Sequence, residues 1–235
     1  MEIAPGVHSL SEWRGGHVRA YLLDDGAGLT LVDTLFATDA GRILRQIARL
    51  GRSAGDLRRI VLTHAHRSHL GGLAVLKRLS AASVLAHAWE ADVVAGEREA
   101  QRVRLRPEAP LRAYPLQLGC ALGLGKHPPC PVDRTLQDGD RVGPLQVIHT
   151  PGHTPGSLSF YWPERRVLFT GDVLVTWPSP APGWPSFTLN PAQHRASVAR
   201  LAAVADAEVL AVGHGPPITA DGAARARALA TMLPA

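Results

Sequence analysis

Five short runs rich in Val, Ile and Leu punctuate the chain, and each ends in a turn that carries Asp or His. They are residues 29–32 before Asp33, 59–62 before His64, 145–148 before His149 and His153, 166–169 before Asp172, and 208–212 before His214. Such near-continuous apolar runs predict strands buried on both faces. Polar groups gathered at strand ends are where open α/β sheets place their sites, so one cleft is expected to collect all five turns. Between the runs the period becomes helical. Thr38 or Asp39 is expected to cap a helix carrying Ile43, Leu44, Ile47 and Leu50, with Gly51 as its stop. Leu70, Leu73, Ala74, Leu76 and Leu79 form a second stripe. Asn190 and Pro191 read as cap and first position of a third helix, and Asp221 as the cap of the last. A further helix is expected over residues 88–105, with Glu97, Arg98, Glu99 and Arg102 on its wet side. Residues 106–131 are rich in Pro and Gly and hold no sustained period, which predicts a long loop joining two halves of a single domain spanning residues 1–235.

Composition narrows the function classes. The hydrophobic fraction of 46% and charged fraction of 19% are those of an ordinary globular chain. The net charge of +5 is spread along the sequence, with no basic run longer than Arg58-Arg59 or Arg165-Arg166, so a solvated basic surface is expected and not a nucleic-acid groove. The first residues lack a basic segment followed by an apolar one, and no apolar span of 18 residues follows. A cytoplasmic protein without membrane association is therefore expected, with a small molecule as its partner and self-association left open. Cys120 and Cys130 are expected to be free thiols, because a metal knuckle built from them and His127 lacks a fourth ligand.

The chemistry is concentrated in Thr63-His64-Ala65-His66-Arg67-Ser68-His69-Leu70-Gly71-Gly72. In extended backbone His64 and His66 point the same way and can reach one ion, whereas on a helix they diverge by about 200°. His69 follows five residues after His64, where a helix begins, and so faces the site from another side. Gly71 and Gly72 are expected to let backbone pass close to the ion. With His153, Asp172 and His214 the turns supply five imidazoles and a carboxylate, more than one tetrahedral site uses and suited to two ions sharing a bridge. Six histidines, His8, His17, His87, His127, His149 and His194, fall outside this set. Asp33 is either a partner that orients a ligating imidazole or a strand-end turn residue.

The ordered stretches Thr63 to His69, Thr150-Pro151-Gly152-His153-Thr154-Pro155-Gly156-Ser157, Phe169-Thr170-Gly171-Asp172 and Val212-Gly213-His214-Gly215-Pro216 resemble the successive metal motifs of the metallo-β-lactamase-fold hydrolases. Leu31-Val32-Asp33-Thr34 also matches that family's early strand and buried Asp. The resemblance runs from about residue 5 to 218. It implies an α/β fold, an αββα sandwich of two similar halves with the metals at one edge. By the same resemblance His64, His66 and His153 would hold a first metal, His69 and His214 a second, and Asp172 would bridge them. The family's first motif reads His-x-His-x-Asp-His, and here Ser68 stands at the Asp position. The second ion would thereby lack a charged ligand of its own beyond the shared Asp172, while the Ser68 hydroxyl can hydrogen-bond a coordinated water, so Ser68 and Asp172 are the expected catalytic residues.

Zinc, as one or two ions, is the expected cofactor, with iron or manganese as alternatives. Zinc lowers the pKa of its water from about 15.7 to near 7, giving a hydroxide for attack on an acyl or phosphoryl centre. About twenty residues follow His214, so the helical substrate domain of glyoxalase II-like thioesterases is expected to be absent. Residues 177–187, with two Trp, four Pro and a Phe, are expected to form one apolar wall of the site, and the turn 13–17 the opposite wall. A small ester, lactone, thioester or amide, β-lactams included, is the expected substrate. The alternatives are a mononuclear non-haem iron enzyme resembling the persulfide dioxygenases and a non-catalytic binding protein.

Overall fold

A computed structural model describes residues 1–100, 103, 106–107, 110–123 and 126–233. Among these the chain forms strands β1 (Glu2–Ala4), β2 (Val7–Ser11), β3 (Arg19–Asp24), β4 (Leu29–Val32), β5 (Leu57–Val61), β6 (Ser83–His87), β7 (Arg134–Leu136), β8 (Arg141–Val142), β9 (Leu145–His149), β10 (Leu158–Trp162), β11 (Val167–Gly171) and β12 (Val209–Val212). One sheet has the order β1-β2-β3-β4-β5-β6-β7 and the other β12-β11-β10-β9-β8. The first is antiparallel as far as β4 and parallel from β4 to β7. In the second, only β11 and β12 run parallel.

The apolar runs are continuous because these strands serve two cores at once. In β4, Leu29 and Leu31 face helices Gly41–Arg49 and Leu73–Ser80, while Val32 faces the other sheet. In β12, Val209 and Ala211 meet the first sheet, while Leu210 and Val212 pack on helices Pro191–Ala202 and Gly222–Ala230. The sheets share a core centred on Phe160 and Phe169, both fully buried. The layers therefore run helix, sheet, sheet, helix, the expected αββα sandwich. Among the described residues no helix is long and apolar enough to cross a membrane.

All five expected strands form, but seven others carry weaker patterns. β10 holds Ser159 as its second residue, fully buried, and its hydroxyl meets Thr150 Oγ1 at 3.0 Å and the Thr170 carbonyl at 3.3 Å. The helix expected over 88–105 is shorter, Ala88–Val94. Gly96 at φ 77° ends it, and the amides of Glu97 and Arg98 both turn back to the Asp92 carbonyl. Glu97, Arg98 and Glu99 thus follow the helix, and Arg102 and Leu105 lie outside the described residues. The stretch 106–131 is not structureless: a 3-10 turn (Leu111–Ala113) leads into helix Tyr114–Ala121, whose Pro115 sits in the first turn, where no amide donor is needed.

Asn190 caps its helix as expected, accepting from the Gln193 amide at 3.1 Å. Asp39 accepts from Gly41 at 2.9 Å, but the cap position belongs to Ala40 in the left-handed region. Asp221 occupies its cap position at φ 55° and receives no amide of the first turn on its side chain. Truncating Phe160 to Ala at the centre of the inter-sheet core is expected to lower unfolding free energy by about 3 to 5 kcal/mol, read from urea unfolding.

Candidate metal centre

The five strand-end turns meet at one edge of the sandwich. The donor atoms of His64, His66, His153 and Asp172 lie within 4.8 Å of one another, and so do those of His69, Asp172 and His214. Asp172 belongs to both groups. Its Oδ2 is 3.1 Å from His214 Nε2, 3.5 Å from His153 Nε2 and 3.7 Å from His64 Nε2, and its Oδ1 is 3.5 Å from His69 Nε2. His66 presents Nδ1, 3.1 Å from His64 Nε2 and 2.9 Å from His153 Nε2. Apart from half-buried His66, these side chains are buried. All six expected ligand residues therefore converge.

The hydrogen bonds around the cluster set which nitrogen each ring offers. Asp33 ends β4 at φ 58°, a backbone state that Asp tolerates better than most residues. Its Oδ1 accepts from the Thr63 amide at 2.8 Å, and its Oδ2 accepts from the Thr63 hydroxyl at 2.8 Å and from His69 Nδ1 at 2.9 Å. Thr63 has spent its one proton on Asp33, so at 3.0 Å its Oγ1 accepts from His64 Nδ1. Both rings are left with Nε2 toward Asp172. His214 Nδ1 donates to the Gly16 carbonyl at 2.8 Å, which does the same for the third ring. Asp33 is thus an orienting partner and also a turn residue, and Thr63 and Gly16 join it as contributors that sequence reasoning did not single out.

Two glycines make room for this packing. A Cβ on Gly213 would lie 2.0 Å from Asp172 Oδ1. A Cβ on Gly71 would lie 2.3 Å from the Phe36 carbonyl oxygen, and the Gly71 amide donates to Leu35 at 2.8 Å. Gly71 and Gly72 therefore let the His69 helix dock on the backbone of residues 34–36.

Burial holds His64 and His153 well below the usual imidazole range and brings His66 down to about 4, so all three are neutral donors at physiological pH. Burial also opposes charge on His69, but Asp172 and Asp33 on either side outweigh it and raise the group to about 10. Asp172 pays the desolvation of a buried carboxylate, yet His214 and His69 hold it well below its ordinary value. His69 Nε2 and Asp172 Oδ1 are buried and have no hydrogen-bond partner. A divalent cation can replace the proton on His69 and engage both atoms, and an imidazole and carboxylate donor set fits zinc, iron, manganese or cobalt.

The sequence pattern of the metallo-beta-lactamase superfamily matches residues 13–214. This chain belongs to the metallo-beta-lactamase superfamily. A probable metallo-hydrolase of Bacillus subtilis (strain 168) is 27% identical over 93% of this chain and 87% of its own length. A hydroxyacylglutathione hydrolase of Pseudomonas aeruginosa (strain LESB58) is 33% identical over 62% of this chain, which spans only 42% of that relative. Among solved structures, the protein TTHA1623 in a di-iron-bound form superposes with a TM-score of 0.64 at 28% identity, covering 90% of this chain and 93% of that one.

The cleft over this metallo-beta-lactamase-fold centre measures about 840 Å³ and is lined in part by Phe36, Arg67, Leu116, Cys120, Trp184 and Phe187. The segment 177–187 is the expected apolar wall: Trp184 and Phe187 are buried, and the Trp184 ring lies 4.4 Å from that of His214. The turn 13–17 is not the opposite wall. His17 stacks on Trp177 at 4.7 Å, placing the turn beside the same segment. Helix Tyr114–Ala121 instead contributes Leu116 and Cys120. Ser68 lines the cleft and is nearly buried, and its hydroxyl makes no hydrogen bond among the described residues. Cys120 and Cys130 are unpaired, as expected, and neither falls in a donor group with His127, whose Nε2 meets the Val94 carbonyl at 3.1 Å.

If Asp33 orients His69, Asp33→Asn, which cannot accept all three bonds, is expected to weaken metal binding at the His69 group about 10 to 100-fold, read by competitive titration. Unchanged affinity in the folded variant would remove Asp33 from the centre's support.

Proposed function

We propose that this chain is a metal-dependent hydrolase acting on a small, partly apolar ester, lactone, thioester or amide, β-lactams included. The observation that carries the reading is the pair of donor groups sharing Asp172 at the base of an open cleft with an aromatic wall. A bound divalent ion supplies a nucleophile from water near neutral pH and polarises the carbonyl under attack. The chain's own residues do the rest. His64, His66 and His153 would hold the first ion and His69 and His214 the second, with Asp172 shared between the two groups. Trp184 and Phe187 offer an apolar surface to the acyl portion of the substrate, and Ser68 has a hydroxyl free to bond a water at the second ion. Zinc is the proposed metal. The similar protein known in a di-iron form supports a second reading, an iron-dependent enzyme, and metal analysis of protein purified without added metal separates the two.

His153→Ala and Asp172→Ala are each expected to cut turnover of a chromogenic ester or lactone at least about 100-fold, since each removes a directly coordinating group. His87→Ala, whose ring stacks on His149 away from both donor groups, is expected to keep it. Near-normal rates in Asp172→Ala contradict the proposal.

Ser68→Asp supplies the carboxylate that the second ion lacks. It is expected to tighten that ion at least about 10-fold, since even outer partners of a metal ligand contribute that much. Turnover need not rise, because the added charge makes the centre less electrophilic. Equal affinity of the native and substituted proteins for a second zinc would show that another group already fills the position.

A further inference from the structure

Helix Ala88–Val94 carries Glu90 into the interior, where the residue is 1% exposed and Arg98 acts on it only as the weakest of the influences lowering its pKa, after its hydrogen bonds. Its carboxylate is spent on two separate loops. Oε2 accepts from the amide of Ala65, the residue between His64 and His66, at 3.0 Å. Oε1 accepts from the Thr154 hydroxyl, next to His153, and from the Gly156 amide at 3.2 Å. Because Thr154 donates its only hydroxyl proton to Glu90, its oxygen accepts from Ser157 Oγ at 2.8 Å, while Ser157 Oγ accepts from the Thr154 amide at 3.0 Å. All of these groups are buried. A Cβ on Gly156 would lie 2.7 Å from Oε1, so glycine is what allows that amide to reach the carboxylate.

The loops come from different sheets. His64 and His66 follow β5, and His153 follows β9; one backbone bond, from Leu158 to Thr63 at 2.8 Å, joins them directly. We propose that Glu90 is a positioning residue that clamps these two loops together and sets the spacing of His64 and His66 against His153. The inference rests on the reading of those three imidazoles as one ion's ligands. A buried carboxylate is costly unless its oxygens are hydrogen-bonded, and here every bond it accepts comes from a ligand-bearing loop.

The test is competitive zinc titration of the purified chain, with melting temperature recorded metal-free and zinc-loaded. Glu90→Gln keeps length and volume but replaces one acceptor with an NH2 group, so it cannot serve both loops. It is expected to bind zinc at the tighter site at least about 10-fold more weakly and to show a smaller zinc-induced rise in melting temperature. Thr154→Val, which removes one of the three donors to Glu90 together with the acceptor of the Ser157 hydroxyl, is expected to show a smaller loss in the same direction. A residue that merely stabilises the fold would lower the metal-free melting temperature and leave zinc affinity and the zinc-induced rise as in the unmodified chain. That result overturns the proposal. If Glu90→Gln does not fold, native zinc affinity in Thr154→Val overturns it equally. Absence of zinc binding by the unmodified chain overturns the metal-centre reading as well, so the two failures are told apart.

Discussion

The Asp172 carboxylate sits buried at the end of β11 with imidazole nitrogens of His64, His69, His153 and His214 at 3.1 to 3.7 Å. A buried anion is tolerable only where positive charge is concentrated, and here it comes from His69, held protonated by Asp172 and Asp33, or from a cation taken up by the same nitrogen and oxygen atoms. Much of the local architecture follows from that demand. Gly213 has no side chain because one would occupy Asp172 Oδ1, and the His64, His69 and His214 rings are fixed from behind by Thr63, Asp33 and Gly16.

The sandwich delivers these groups because both sheets end at the same edge. Doubly buried strands fix the chain up to the last apolar residue, and the turn beyond is free to carry a polar one. Placing ligands on turns from β5, β9, β11 and β12 makes the centre depend on how the sheets sit against each other. The Thr63 to Leu158 backbone bond and the Glu90 carboxylate are the links nearest to it. The cleft above is assembled from less regular parts, Trp184 and Phe187 together with helix Tyr114–Ala121, which packs on them.

The candidate donor set was legible in the sequence because each member ends or follows a strongly apolar strand, and the order of the motifs matches a known family. The layer arrangement came with that resemblance. What the sequence concealed was of two kinds. Short edge strands such as β1, β7 and β8 have too few residues to show a period, and β10 hides a serine whose hydrogen bonds are long-range. The second kind is support for the site: Glu90 reads as any helical glutamate, and Gly16 contributes only a carbonyl, so neither leaves a local signal. Helix Tyr114–Ala121 was masked by its Pro and Gly, which proved compatible with a first-turn position and a helix packed on Trp184 and Phe187.

The central claim is that six side chains form one shared centre for divalent metal. Anomalous X-ray diffraction from crystals grown with excess zinc, combined with metal content per chain, tests it most directly. The account expects an anomalous peak among His64, His66, His153 and Asp172, and a weaker one between Asp172, His69 and His214. Well-ordered crystals with neither peak, and no zinc retained by the protein, would contradict it.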